Sequence, residues 1–153
     1  MNTNTRTNVQ SLGLLIIRLG IGGYMLTHGW GKLQMLMAGN ADQFADPLGI
    51  GPTVSLIMVV FAELVCAALV MAGALTRLAC VPLVVTMLVA AFVAHGSDPW
   101  TMAEGRRLFV ADEAASWASK QPALMYMFVF LGLIFTGAGR FAVDSLIFRR
   151  KSV

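Results

Sequence analysis

Long apolar segments separated by shorter polar ones dominate the pattern of this chain. A helix that crosses the hydrocarbon core of a bilayer needs roughly 20 mostly apolar residues, and four segments meet or approach that length. The pattern therefore predicts membrane-spanning helices at about residues 12–30, 53–75, 78–95 and 122–138. The last segment is short, but apolar residues resume after Arg140, so its C-terminal boundary is the hardest to set.

The polar segments predict how these helices are joined. Residues 34–52 contain D-P and G-I-G-P, which are turn signals and predict a loop. Only G-A-L-T-R-L separates the second and third helices, which predicts a tight antiparallel hairpin with Arg77 at its turn. The longest connection, residues 96–121, mixes apolar residues with charges. A short surface helix and a solvated loop are both compatible with it.

Composition and charge support a membrane protein and predict its orientation. The 153 residues are 58% hydrophobic and 12% charged, which lies outside the usual range of soluble domains. Lys and Arg collect on the cytoplasmic side of membrane proteins. The side that includes both termini holds Arg6, Arg77, Arg140, Arg149, Arg150 and Lys151, whereas the other side holds Lys32, Arg106, Arg107 and Lys120.

The predicted fold is therefore all-α, a four-helix transmembrane bundle with cytoplasmic N and C termini. A polar N-terminus at 1–11 precedes a membrane domain at 12–148 and a basic tail at 149–153. The first apolar segment has no small-residue cleavage site behind it, so a removed signal peptide is not expected. The basic tail suits anionic lipid headgroups, and the net charge of +3 needs no nucleic-acid partner.

Two ionisable residues lie deep inside predicted membrane helices. Such groups cost about 2.5 to 3.5 kcal/mol each to insert, so each requires a partner. Arg18 lies about 10 Å into the first helix, and Glu63 lies near the middle of the second. We predict that they pair. The first interpretation of the pair is a structural clamp, and the second is a polar site for a substrate headgroup, quinone or proton.

Two histidines define a second group of polar residues near the opposite interface. His28 and His95 lie at nearly the same depth on two helices that run in the same direction. Arg18, His28 and Lys32 fall within roughly 80 degrees on a helical wheel and give the first helix one polar stripe. Interfacial hydrogen bonding is the first interpretation of the histidines, a quinone or small-ligand site the second, and haem or metal ligation the third. The sequence predicts no metal site, because metals normally require three or four ligands.

Other residues are assigned to packing or to the cytoplasmic end. Arg140 and Asp144 are spaced to pair on one helix face, although a helix terminus tied down at the interface is preferred over a functional role. With Arg77 they form a cytoplasmic-end polar group. No hydrolytic motif is present, so no catalytic residue is assigned. Small residues that would allow close helix approach are Gly13, Gly20, Gly22, Ala62, Cys66, Gly132 and Gly137.

The motifs of this chain resemble the DoxX family of small bacterial membrane proteins over almost the whole length. The first helix carries R-L-G-I-G-G-Y-M-L-T-H-G-W-G-K-L, and the second carries F-A-E-L-V-C-A-A-L-V-M-A-G-A-L-T-R-L-A. The third helix ends in A-A-F-V-A-H, and the fourth closes with G-A-G-R-F-A-V-D. Ala142 replaces a serine that is common in the family, and Cys66 stands where glycine is common.

The resemblance implies a function more loosely than a fold. The family takes its name from a component linked to thiosulfate:quinone oxidoreduction, which implies an accessory or quinone-linked subunit in the inner membrane, in contact with another membrane or redox protein. Quinone is then the first candidate ligand, ahead of haem. An independent small-solute transporter or channel, working as a homo-oligomer, and a purely structural scaffold are the alternatives. The residue pattern in which this chain resembles the family includes Arg18, His28, Lys32, Glu63, His95, Arg77, Arg140 and Asp144.

Overall fold

The computed structural model describes residues 3–111 and 118–147, and within these ranges the chain forms helices and no strand. The all-α prediction is confirmed for this part of the chain. The predicted tail at 149–153 lies outside the described residues. The helices are α1 (Thr3–Met37), α2 (Pro52–Ala72), α3 (Thr76–Ala94), α4 (Met102–Ala111), α5 (Gln121–Thr136) and α6 (Val143–Ile147).

Three of these helices are long and apolar enough to cross a membrane, judged by length and composition. They are the ranges Thr7–Met37 within α1, Pro52–Ala72 and Thr76–Ala94. The fourth apolar helix, α5, is shorter, at 16 residues. Helix α1 runs to Met37, beyond the expected end near residue 30, and the first residue after it with a left-handed φ is Gly39, at 75°. Helix α2 ends at Gly73, which adopts a left-handed φ of 70°.

The helices pack in chain order around one apolar core. Helix α1 runs antiparallel to α2, which forms a hairpin with α3, and α3 packs along α5. The core includes Met25, Leu83 and Phe130. Many large apolar side chains lie on the outer faces instead and are exposed in the isolated chain, as expected for helices that face lipid. They include Ile16, Val54, Leu78, Phe128 and Phe135.

Two glycines on α1 set its register against α2. A Cβ on Gly29 would lie 2.8 Å from Leu64 Cγ and 2.9 Å from the carbonyl carbon of Glu63. A Cβ on Gly22 would collide with the side chain of Met71. Because only glycine permits this approach, α1 lies directly against α2 at Glu63. Of the other small residues predicted at close contacts, Gly13, Gly20 and Gly132 have no such neighbour in the ranges 3–111 and 118–147.

The turn between α2 and α3 lies at one end of the molecule, here called the hairpin end. It is held by residues 137–147, here called the C-terminal segment. Asp144 accepts hydrogen bonds from the backbone N–H groups of Leu75 (2.7 Å) and Thr76 (3.1 Å), and its own N–H donates to the carbonyl of Gly73 at 2.8 Å. The prediction that Arg140 and Asp144 can pair locally is therefore wrong. Arg140 lies on the other side of the segment and donates to Asn8 Oδ1 at 3.0 Å, so each residue ties the segment to a different neighbour.

Candidate functional site

The buried carboxylate of Glu63 pairs with Lys32. Lys32 Nζ lies 2.5 Å from Glu63 Oε1, and the side chains are 29% and 2% exposed respectively. Glu63 Oε2 is buried and has no hydrogen-bond partner among the described residues. The predicted Arg18–Glu63 pair is wrong, because Glu63 lies level with Gly29. Gly29 follows Arg18 by 11 residues, about 16 Å along a helix and too far for the arginine side chain to reach.

Arg18 is instead enclosed at the hairpin end. Its side chain is 0% exposed, and its Nη2 donates to the carbonyl of Phe141 at 2.5 Å. Its Nη1 donates to the carbonyls of Val70 (3.4 Å) and Met71 (3.5 Å) at the end of α2. A Cβ on Gly73 would collide with this Nη1, so the glycine makes room for the guanidinium. Arg18 therefore joins α1, α2 and the C-terminal segment.

Widened helical turns carry two of the predicted site residues. Residues Phe61–Cys66 of α2, which include Glu63, and Ala90–Ala94 of α3, which precede His95, form π-helical turns. The N–H of His95 donates to the carbonyl of Ala90, five residues earlier, at 2.9 Å. Such turns are rare and often occur at functional sites. The sequence analysis missed both, because neither segment contains a glycine or proline that would have marked it.

The Lys32–Glu63 pair lies in a cavity of about 290 Å³, here called the polar cavity. It lies at the loop end of the molecule, opposite the hairpin end, where residues 38–51 and 95–120 connect the helices. The structure brings His28, Lys32, Glu63 and His95 together in its lining, whereas Arg18 is not part of it. The sequence analysis missed two further polar residues that line this cavity, Tyr126 and Ser119.

The histidines and their neighbours complete the polar cavity. The rings of His28 and Tyr126 meet edge to face, with centroids 5.8 Å apart, and so connect α1 with α5. His95 Nδ1 lies 2.7 Å from Asp98 Oδ2, which orients the imidazole. Ser119 Oγ is buried without a partner among the described residues. Two buried hydrogen-bonding atoms, Ser119 Oγ and Glu63 Oε2, thus belong to residues that line this cavity and have no partner among the described residues.

A second cavity adjoins the first across the Lys32–Glu63 pair. It measures about 390 Å³ and lies between α2, α3 and the connection at residues 44–50. We call it the apolar cavity, because most of its lining is aliphatic or aromatic. The two cavities share Lys32, Glu63, Ala90 and His95. The ion pair is thus a boundary between two spaces of different polarity.

Asp46 fixes the loop that covers the apolar cavity. Its carboxylate accepts hydrogen bonds from Ser55 Oγ (2.7 Å), the N–H of Gly51 (2.7 Å) and the N–H of Ile50 (3.1 Å). These bonds favour the ionised form, so the pKa of Asp46 is lowered, chiefly by the Ser55 hydroxyl and also by the backbone donors, against a partial opposing effect of desolvation. The loop is therefore held on the start of α2.

Metal ligands do not cluster in the described ranges. Across residues 3–111 and 118–147, no group of three or more His, Cys, Asp or Glu side chains is placed to hold a metal ion. The two cysteines, Cys66 and Cys80, are buried and free. The polar groups of the cavity are instead hydrogen-bond donors and acceptors, which suit a small organic ligand.

The apolar helices and the buried polar site together define a helical integral membrane protein, whose outer faces contact the bilayer. A model of the DoxX family matches residues 13–96, more than half of the chain, and the chain therefore belongs to the DoxX family. Searches of curated proteins and of solved structures found no match. The matched segment contains the Lys32–Glu63 pair, both histidines and both π-helical turns.

Proposed function

We propose that this protein is an accessory subunit of a membrane redox complex and that its polar cavity binds a quinone head group. The observation that supports the proposal is the buried Lys32–Glu63 pair beside His28 and His95 in one cavity. Intramembrane ionisable residues are costly and commonly mark functional sites. The redox role itself rests on membership in the DoxX family.

The chemistry of the cavity suits a quinone. An ammonium group has three donors, and Lys32 uses one of them on Glu63, so others remain for a carbonyl oxygen. The imidazoles of His28 and His95 are further candidate donors, and the ring of Tyr126 supplies a flat surface for an aromatic head group. Because these residues lie on α1, α2 and α5 or, for His95, directly after α3, the helices would fix the position of the head group.

We further propose that α1, α2, α3 and α5 form a four-helix transmembrane bundle in the inner membrane, with both termini cytoplasmic. The distribution of Lys and Arg supports this orientation. Single cysteines at exposed positions provide the test. Met102→Cys in α4 should react with a membrane-impermeant thiol reagent in intact spheroplasts, whereas Thr5→Cys should react only after permeabilisation. The reverse pattern would overturn the orientation.

The first functional test is recovery of the tagged protein from its native membrane in mild detergent. We expect an oxidoreductase in stoichiometric amount, identified by mass spectrometry, together with quinone in the organic extract. Glu63→Gln or His28→Ala should reduce the quinone recovered. Glu104→Gln is the matched control, because Glu104 is an exposed residue of α4 outside both cavities.

Recovery of the protein alone, without a partner or quinone, would contradict the subunit proposal. A homo-oligomer recovered in this way would favour an independent transporter. Uptake of a solute by proteoliposomes that contain only this protein would then be the next measurement.

A further inference from the structure

We infer that the two cavities accept one molecule with a neutral hydroxyl group at Glu63 and an apolar chain in the apolar cavity. This inference rests on the proposed function, because it uses the same carboxylate, and it goes further by stating the chemical class of the ligand. Of the two redox forms of a quinone, only the reduced form carries a hydroxyl. The site would therefore prefer the reduced form.

The first step in the argument is the free oxygen of Glu63. Oε1 accepts from Lys32, but Oε2 is buried and lacks a partner among the residues that the structure describes. A buried carboxylate oxygen without a hydrogen bond is unfavourable, so a ligand that donates a hydrogen bond to it is favoured. A carbonyl or ether oxygen cannot serve, because it has no hydrogen to donate.

The second step concerns the charge of the ligand. Lys32 already neutralises Glu63, so a cationic head group would lie beside an ammonium group without a free counter-charge. An anionic head group would lie beside the carboxylate. A neutral donor avoids both penalties. A hydroxyl also has lone pairs that can accept a hydrogen bond. Ser119, whose buried Oγ has no partner among the described residues, lines the same polar cavity.

The third step is the connection between the cavities. Glu63 lines both of them, so a group bound at its carboxylate has the apolar cavity within reach. The walls of that cavity include Met58, Val59, Val85 and Val89. Its volume of about 390 Å³ is within the range of roughly 300 to 1,000 Å³ that is typical of small-molecule sites. An apolar chain is the part of a ligand that this lining would stabilise.

Photolabelling tests the inference directly. The purified protein in lipid nanodiscs is labelled with an octanol that carries a photoreactive diazirine near the end of its chain, and labelled residues are located by mass spectrometry. We expect the label in the apolar cavity, at partly buried lining residues such as Val59 and Val89. Unlabelled octanol should compete, whereas octyl methyl ether, which lacks the donor, should compete about tenfold less well.

A pair of matched variants tests where the chain lies. Val85 and Val81 are both exposed valines on α3, one turn apart, but only Val85 lines the apolar cavity. Val85→Trp should lower labelling at Val59 about tenfold, and Val81→Trp should leave it unchanged. Equal labelling in both variants would overturn the placement of the chain.

The outcomes separate this inference from the proposed function. Equal competition by alcohol and ether would overturn the requirement for a donor, and labelling confined to the outer faces would overturn the site. Either result would leave copurification of quinone and a redox partner unaffected. Conversely, specific labelling with no copurifying partner or quinone would support the ligand class and contradict the subunit role.

Discussion

Arg18 and Glu63 are both buried charged residues of the membrane helices, yet their surroundings differ. Arg18 donates to three backbone carbonyls from two segments of the chain and lines neither cavity. Glu63 has one paired oxygen and one oxygen without a partner in the part of the chain that the structure describes, and it lines both cavities. Burial of a charge alone therefore does not identify a site. A hydrogen-bonding atom that is both unpaired and adjacent to space is the stronger indication.

Removal of Arg18 should have the largest effect on stability. Arg18→Met leaves the carbonyls of Phe141, Val70 and Met71 without their donor and removes one of the attachments of the C-terminal segment, so we expect a loss of about 3 kcal/mol or more. Thermal unfolding in detergent, followed by size-exclusion chromatography, measures it. Arg77→Met is the control, because exposed Arg77 makes one bond of 3.2 Å to the carbonyl of Phe135. Equal losses in the two variants would contradict a special role for Arg18.

Breaking the Lys32–Glu63 pair should have the second largest effect on stability. A second substitution, at Glu63, should restore most of the lost stability. Lys32→Met leaves a buried carboxylate without its cation, and we expect a loss of about 2 kcal/mol, since Lys32 is partly exposed. The double variant Lys32→Met, Glu63→Gln should recover most of this loss, because no uncompensated charge remains. A double variant that is less stable than Lys32→Met would show that Glu63 stabilises the fold in some other way.

Asp144 should have a smaller effect on stability, confined to the hairpin end. Asp144→Ala removes both side-chain acceptors from the start of α3, a change that costs about 1 to 2 kcal/mol at comparable helix caps. Ligand binding per folded molecule should be unchanged, in contrast to substitutions of Glu63. Thermal unfolding and photolabelling of the same preparation test both statements. Reduced labelling in the folded protein would show that the two ends are coupled.

The smallest effect should be a pH dependence due to Asp46 at the loop end. The pKa of Asp46 is lowered in the folded protein, so its stabilising contribution is fully present above the pKa of the unfolded chain, about 3.9, and is lost as pH falls through the lower folded value. The melting temperature of the wild type should therefore approach that of Asp46→Asn as pH falls through this window. Ser55→Ala removes the main cause of the lowered pKa of Asp46. The pH range over which the stability changes should therefore become narrower. A difference that is constant with pH would contradict this account.

The helices could be predicted from sequence, but the partner of Glu63 could not. The length of apolar segments is enough to locate α1, α2, α3 and α5, because the bilayer requires it. The pairing depends instead on the depth at which α1 meets α2, which Gly22 and Gly29 determine. Gly29 was not singled out, since glycines on both lipid-facing and packed sides of α1 look alike in sequence.

Only some of the residues that line the polar cavity could be predicted from the sequence. The wheel of α1 predicts Arg18, His28 and Lys32 on one stripe, and equal depth predicts His95 at the level of His28. The structure brings His28, Lys32 and His95 together in one cavity lining, whereas Arg18 lies elsewhere. Tyr126 and Ser119 were not found, because their positions depend on how the connection after α3 folds back. Aromatic and hydroxyl residues are also too common to mark a site without that geometry.

The π-helical turn around Glu63 has a consequence for insertions and deletions in this family. A π-helical turn accommodates one residue more than an α-helical turn, while the helix on either side keeps its orientation. Deletion of Val65, an exposed residue within Phe61–Cys66, would allow α2 to continue as an α-helix with its ends still in place. The direction of the Glu63 carboxylate relative to both cavities would then change. Deletion of one residue would therefore keep the fold of this protein and change its site.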